Sequence, residues 1–210
     1  RFDSNFLAAR RANYVPLSVI SLLKHAATNY PNKLAYVHGN IKATWSETYN
    51  RIKKFSDALA KLGVARGDVV SIVAPNSPTM FEAHFAVPGC DNAILHTINT
   101  RLDPRSVAFQ LEHAQTKVLI VDSEFGQLMK DALQLLPPEI PMPLVIVVQD
   151  PEFNSVCKSV LCGDGNIDFE EFLNTGDHEN IEVSRPNDEF DAIGVNYSSG
   201  STGNPKGVIN

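Results

Sequence analysis

Tyr197-Ser-Ser-Gly-Ser-Thr-Gly-Asn-Pro-Lys-Gly-Val208 is preceded by the β-like run Asp191-Ala-Ile-Gly-Val-Asn-Tyr197. Glycine, small hydroxyl residues, Asn204 and Pro205 make up most of the quoted stretch, and Lys206 is its single charge. Gly200, Gly203 and Gly207 can adopt backbone angles closed to other residues, so successive N–H groups can turn toward one anion. Ser198, Ser199, Ser201 and Thr202 add hydroxyl donors without bulk. Lys206 supplies a mobile positive charge suited to phosphate oxygens, and Pro205 stiffens the approach to it. The combination predicts a loop that holds a polyphosphate. A flexible Gly/Ser linker is the bland alternative, but a linker has no reason to follow a buried strand or to end in Pro-Lys-Gly-Val. The stretch also lacks the Gly-Lys-Ser/Thr of nucleotide-triphosphatase loops, because Asn204 and Pro205 separate Gly203 from Lys206.

Working outward, apolar runs alternate with helical patterns. Pro16 is expected to open a helix whose Val19, Ile20, Leu22, Leu23 and Ala26 share one buried face, and which Pro31 breaks. Leu34–Val37 and Ile41–Thr44 flank Gly39-Asn40 and predict a hairpin. Ser46 is the expected N-cap of a helix with Tyr49, Ile52, Phe55, Leu59 and Leu62 on one face, stopped by Gly63. Then follow a strand at 69–74, a helix from Pro78 to Val87 and a strand at 93–95. Next come a helix from Pro104 to His113, a strand at 117–121, a helix capped by Ser123 and running through Leu136, and a strand at 143–148. Continuous apolar strands separated by helices predict an α/β fold of mostly parallel sheets flanked by helices.

Composition bounds the partners. In 210 residues, 18 Lys and Arg face 24 Asp and Glu, a balance that argues against a nucleic-acid binder. No uninterrupted apolar stretch reaches the length of a membrane span. Cys90, Cys157 and Cys162 fit a reducing compartment and form no disulfide framework.

The phosphate-loop stretch resembles the signature of the adenylate-forming (AMP-binding) superfamily, whose members include acyl-CoA ligases, luciferases and peptide-synthetase adenylation domains. Residues 58–71, Ala-Leu-Ala-Lys-Leu-Gly-Val-Ala-Arg-Gly-Asp-Val-Val-Ser, with Pro75-Asn-Ser77 after them, are similar to the family's first helix and strand. Residues 93–102, Ala-Ile-Leu-His-Thr-Ile-Asn-Thr-Arg-Leu, are similar to its next segment, and Leu111 and Asp122 also match. Nearly the whole chain is covered, and the nearest resemblance is to plant-type acyl-activating enzymes acting on medium-chain and aromatic acids. One departure is Cys90-Asp-Asn92, where the family carries small residues; it puts in doubt the close packing of the preceding helix.

The resemblance implies ATP-dependent activation of a carboxylic acid as an acyl-adenylate, followed by transfer to coenzyme A. Ser198, Ser199, Gly200, Ser201, Thr202, Gly203, Asn204, Pro205 and Lys206 would grip the β- and γ-phosphates, with Lys206 offsetting charge on the departing pyrophosphate. Mg²⁺ would bridge phosphate oxygens, with Thr202 the loop residue best suited to touch it. It also implies that residues 1–210 are the N-terminal portion of a longer enzyme. The nucleoside contacts, most of the acyl pocket and a C-terminal lysine would then lie beyond the loop. This stretch alone is expected to be inactive, with its sheet edge open. An intracellular location, cytoplasmic or peroxisomal, is implied. The competing readings are a truncated non-catalytic nucleotide-binding or regulatory protein, a luciferase-like enzyme and a peptide-synthetase adenylation domain.

Other constellations weigh less. Gly163-Asp-Gly-Asn-Ile-Asp-Phe-Glu-Glu-Phe172 suggests an EF-hand, but aligning Gly165 with the turn position places Val160 and Cys162 where carboxylate ligands are required. An exposed loop followed by a short helix from Asp168 to Leu173 is expected, and no metal site. Of the six histidines, His84 is expected in the core or an interface, and His96 is weighed as a lining of a substrate tunnel and set aside. Asp188, Glu189 and Asp191 are expected to hydrate the approach to the last strand, with Asp191 also bracing the loop.

Overall fold

The computed structural model describes residues 17–150, 165–179, 181–184, 188–198 and 205–210. Helix α1 (Val19–Asn29) starts at Ser18, not at Pro16, which lies outside the described residues. It buries Ile20 and Leu23, while Leu22, expected on the same face, is exposed because it falls one residue outside their stripe. Ser18 and Ser21 satisfy each other's backbone N–H groups, a reciprocal cap. The hairpin β1 (Leu34–His38) and β2 (Ile41–Thr44) pairs as expected, with Gly39 at a φ of 54° in the turn.

Helix α2 (Trp45–Lys61) is capped by Thr44, not Ser46. The Thr44 hydroxyl accepts from Glu47 N, and the Glu47 carboxylate accepts from Thr44 N at 2.8 Å. The sequence does carry this Thr-x-x-Glu capping box, two residues earlier than the expected start.

Strands β3 (Val69–Val73), β4 (Ile94–Thr97), β5 (Thr116–Asp122) and β6 (Leu144–Val148) alternate with helices α3 (Pro78–Gly89), α4 (Pro104–His113) and α5 (Gly126–Leu133). The last of these differs from expectation. Asp122, not Ser123, caps a 3-10 turn over Ser123–Phe125, and α5 follows it and ends three residues before Leu136. Two short elements were not expected: β7 (Ile167–Asp168), and a terminal strand after the glycine-rich stretch. Asp168 caps α6 (Phe169–Asn174) by accepting from Glu170 N and Glu171 N. The chain then forms β8 (Gly194–Ser198) and β9 (Lys206–Ile209).

One sheet of seven strands has the order β7-β6-β5-β3-β4-β8-β9, all parallel except the antiparallel β8–β9 pair. Alternation along each strand sends side chains to two apolar layers. Val70, Ile72, Val118, Ile120 and Ile146 pack beneath α1, α2, α3 and α6, while Val73, Leu119, Val121, Val145 and Val147 pack beneath α4 and α5. Phe55 of α2, fully buried, meets Phe169 and Phe172 of α6 edge-on at 5.1 and 5.9 Å.

An ionic hub around the fully buried Glu82 ties the first layer together. Arg51 of α2 donates to Glu82 of α3 and Glu170 of α6, each at 2.9 Å, and the Tyr36 hydroxyl of β1 donates to Glu82 at 3.0 Å. Burial pushes the Glu82 carboxyl above the usual range, against the pull of Arg51. The partners matter because an unpaired charge at this depth would be costly.

The doubt over residues 90–92 is resolved toward close packing. Asp91 and Asn92 take the left-handed conformation (φ 49° and 57°), which suits these residue types. Cys90 is buried and its thiol is pushed up to about 12 by burial, which leaves it an inert core group. Gly89 is pressed against its neighbours: a Cβ there would lie 2.1 Å from Val183 Cγ1 and 3.0 Å from Ser56 Oγ. Gly89→Ala should therefore destabilise the fold by about 1–3 kcal/mol despite the better helix propensity of alanine. Chemical denaturation measures this, and an unchanged or raised midpoint would show that Val183 gives way without cost.

Candidate functional site

In parallel α/β sheets the open edge for chemistry lies at the carboxyl ends of the strands, where strand order switches direction. Here the chain passes from β3 to β4 on one side, then crosses to β5 on the other side of β3. Strand β8 returns beside β4, pairing Leu95 with Gly194 and His96 with Val195. Its last residue, Ser198, therefore emerges at that edge.

Strand β9 runs back along β8 in the register Ser198↔Lys206, Tyr197↔Gly207, Asn196↔Val208 and Val195↔Ile209. The glycine- and hydroxyl-rich stretch thus begins and ends at one place. Ser198 and Lys206 are both exposed and face each other, with Ser198 Oγ donating to the Lys206 carbonyl at 3.5 Å. Pro205 beside them is half-buried. The structure brings Ser198, Pro205 and Lys206 together; Ser199, Gly200, Ser201, Thr202, Gly203 and Asn204 lie outside the described residues. The register thus sets a lysine and a serine, residue types suited to an anion, opposite each other at the strand end.

On the other face of β8, Tyr197 and Val195 point away from Ser198 and Asn196. The Tyr197 ring lies 5.0 Å from the His96 ring and meets His113 of α4 edge-on at 5.6 Å. Its hydroxyl is hydrogen-bonded to His113 Nδ1 at 2.7 Å, and His113 is in turn stacked on Phe109. Burial raises the Tyr197 pKa, so the phenol is neutral. A Cβ on Gly207 would already touch this ring, at 3.5 Å. Neither Tyr197 nor His113 stands out in the sequence; the one signal there is the two-residue alternation that sends 195 and 197 to the same side.

His96 lines no tunnel. It is fully buried, with Nδ1 accepting from the Ser71 hydroxyl at 2.9 Å and Nε2 facing Gln110 Oε1 at 3.3 Å, so the ring proton sits on Nε2. Ser71 is bonded onward to Thr116. The neutral ring is satisfied, and burial lowers its pKa to about 4. His84, by contrast, is exposed rather than in the core, with Nδ1 against the Met80 carbonyl.

On the Ser198 side of the sheet, a cleft of about 720 Å³ lies between α3 and strands β4 and β8. Met80, Phe81, Phe85 and Leu95 give it apolar walls, and Thr97 donates to Asn196 at 2.9 Å along its floor. A second cleft of about 830 Å³ lies between the β1–β2 hairpin, α2 and α6, where Arg51 and Glu170 line it.

Asp191 pairs with Arg66 of the α2–β3 turn and accepts from Asn92 Nδ2 of the α3–β4 turn at 3.4 Å, linking the segment ahead of β8 to both turns. Residues 199–204 of the loop it was expected to brace lie outside the described residues. Glu189 accepts from Leu17 N at 2.8 Å. Among the described residues no group of three His, Cys, Asp or Glu side chains could hold a metal ion, and Val160 and Cys162 of the rejected calcium alignment lie outside those residues, as does Cys157. No helix among the described residues is long and apolar enough to cross a membrane.

A family model described as AMP-binding enzyme matches residues 23–210. The chain is 39% identical to the peroxisomal butyrate–CoA ligase of Arabidopsis thaliana, across 94% of this chain and 34% of that protein. It is 36% identical to an acetate–CoA ligase of Humulus lupulus, across 99% of this chain and 37% of that one. It thus spans about a third of the length of these relatives. Among solved structures, an anthranilate CoA ligase in complex with anthranoyl-AMP superimposes with a TM-score of 0.79 at 24% identity, covering 94% of this chain and 35% of that one. The N-terminal domain of a Mycobacterium tuberculosis protein named FACL13 gives 0.71 at 25% identity, covering 90% and 43%. Both have the fold described above.

The low pKa of His96 carries a consequence for acid stability. An unfolded imidazole takes up a proton below about pH 6.5, while the folded one refuses it until about pH 4. Stability contributed by the neutral ring is therefore present above the upper value and lost as pH falls through this window. Between pH 7 and pH 5 the loss should be about 2 kcal/mol. His96→Gln should remove this part of the pH dependence, read from denaturant midpoints at the two pH values. Equal slopes in both proteins would refute it.

Proposed function

Because the chain belongs to the family of AMP-binding enzymes, we propose that it carries the phosphate-gripping part of an enzyme that activates a carboxylic acid with ATP and passes the acyl group to coenzyme A. The observation that carries this reading is the placement of Ser198 and Lys206 on facing strands at the carboxyl edge of the sheet, flanking the glycine- and hydroxyl-rich stretch. In the first step a carboxylate oxygen attacks the α-phosphorus of ATP, and the bond to the bridging oxygen of the β-phosphate breaks, releasing pyrophosphate. In the second, the coenzyme A sulfur attacks the acyl carbon and AMP leaves.

Ser198, Ser199, Gly200, Ser201, Thr202, Gly203, Asn204, Pro205 and Lys206 are the residues assigned to the β- and γ-phosphates. Lys206 places its charge where pyrophosphate departs, and hydroxyl and N–H donors hold the oxygens still. Such chemistry rests on positioning and charge stabilisation rather than on covalent help from the protein. Mg²⁺, when bound, neutralises phosphate charge. It is usually held by one or two protein oxygens and the phosphates themselves, and a hydroxyl-rich loop without a carboxylate cage is compatible with that.

The share of the relatives' length that the chain covers supports reading residues 1–210 as the N-terminal portion of an AMP-binding domain whose other contacts come from further along the polypeptide. The substrate is proposed to be a short- or medium-chain or aromatic carboxylic acid. A cytoplasmic or peroxisomal location is proposed with it, since several relatives are named as peroxisomal.

ATP–pyrophosphate exchange by the full-length enzyme tests this, with short-chain, medium-chain and benzoate-like acids offered in turn. Exchange should depend on one class of acid and fall by about ten- to a hundredfold on Lys206→Ala, the scale of a lost charge-assisted contact. No exchange with any acid would remove the ligase reading, and a normal rate in Lys206→Ala would remove the role of that lysine.

A further inference from the structure

Tyr197 is the residue immediately before Ser198, and among the described residues its side-chain hydrogen bond and ring contacts come from β4 and α4. Its backbone is fixed by pairing with Gly207, the residue immediately after Lys206. Its ring is held between two histidines, and its hydroxyl has a partner at 2.7 Å on the last residue of α4. That helix is itself well fixed. Asp103 caps it by accepting from Arg105 N and Ser106 N, and Val107 and Leu111 are buried beneath it.

Strand β8 lies beside β4 only through the pairs at Gly194 and Val195. Beyond them, the strand end that carries Ser198 is tied to the body of the domain through side chains: Thr97 to Asn196 on one face and Tyr197 to His96 and His113 on the other. Both ties on the second face are made by Tyr197, the residue next to Ser198, and the hydrogen bond to His113 is the directional one.

We infer that His113 is a positioning residue for nucleotide binding: through the Tyr197 hydroxyl it fixes both ends of the phosphate loop, Ser198 and Lys206, relative to the sheet. His113 does not touch the nucleotide. The buried ring contacts of Tyr197 with His96 hold its height in the layer, whereas the hydrogen bond fixes the direction in which the strand end leaves the sheet. This rests on the proposed ATP-dependent activation, and it adds a residue from α4, remote in sequence from the loop, to the machinery that binds ATP.

The test uses the full-length enzyme with His113→Phe, Tyr197→Phe and their combination. His113→Phe keeps an aromatic ring for Phe109 and Tyr197 and loses only the nitrogen. Each single variant should raise the KM for ATP about tenfold, the scale of one lost hydrogen bond, with the KM for the carboxylic acid unchanged. The double variant should be no worse than either single one, because both remove the same bond. His113→Asn, which can place a polar atom near the Nδ1 position, should recover most of the ATP affinity. A general loss of structure would instead raise both KM values and would not be rescued. An unchanged KM for ATP in His113→Phe, a parallel rise for both substrates, or additive single effects would overturn the positioning role and leave the ligase reading standing. No exchange by the unsubstituted enzyme would overturn both.

Discussion

Strand β3 is hydrogen-bonded to β5 along one edge and to β4 along the other, and both of its faces are buried. That position constrains nearly everything else. A parallel neighbour cannot be reached by a tight turn, so each connection must cross over a face of the sheet. With α3 on one face and α4 and α5 on the other, both layers fill and the parallel strands point their carboxyl ends the same way. The reversal comes at β9, which turns back on β8 only after the glycine-rich stretch. The chemistry-bearing stretch is thus delivered to the open edge by topology, before any of its own side chains are considered.

The same constraint explains how much could be read from the residues. Runs such as Val118-Leu-Ile-Val121 of β5 are apolar on both faces and announce themselves, as do helices with Pro at their first turn, Pro78 and Pro104. Helix starts were displaced where two capping residues competed. Thr44 won over Ser46 because Glu47 completes its box, and Asp122 won over Ser123 because a carboxylate at that point can accept from Glu124 N. Strand β7 is two residues long and has no periodicity to detect. Strand β9 was hidden because Lys206, Gly207, Val208 and Ile209 are all exposed, so no alternation of burial marks them; what makes them a strand is the pairing offered by β8. The histidines were legible only as scattered residues. His96 became a buried hydrogen-bonded core group and His84 an exposed one, since the side on which each falls depends on which helix covers which face.

The placement of the loop between two antiparallel strands also distinguishes it physically from the strand-to-helix phosphate loops whose Gly-Lys-Ser/Thr pattern it lacks. There, the helix N-terminus contributes its dipole and free N–H groups. Here the residues after the stretch form strand β9 and not a helix, so in the proposed role Lys206 supplies the positive charge that a helix N-terminus supplies there. The ladder offers something in return. Four register pairs from Val195 to Ser198 hold the two ends of residues 199–205 together. The entropy of bringing those two ends together is therefore lost on folding. What remains is the orientation of β8 and β9 against the sheet. It falls on the side chains of β8: Asn196 toward Thr97 on one face, Tyr197 toward His96 and His113 on the other.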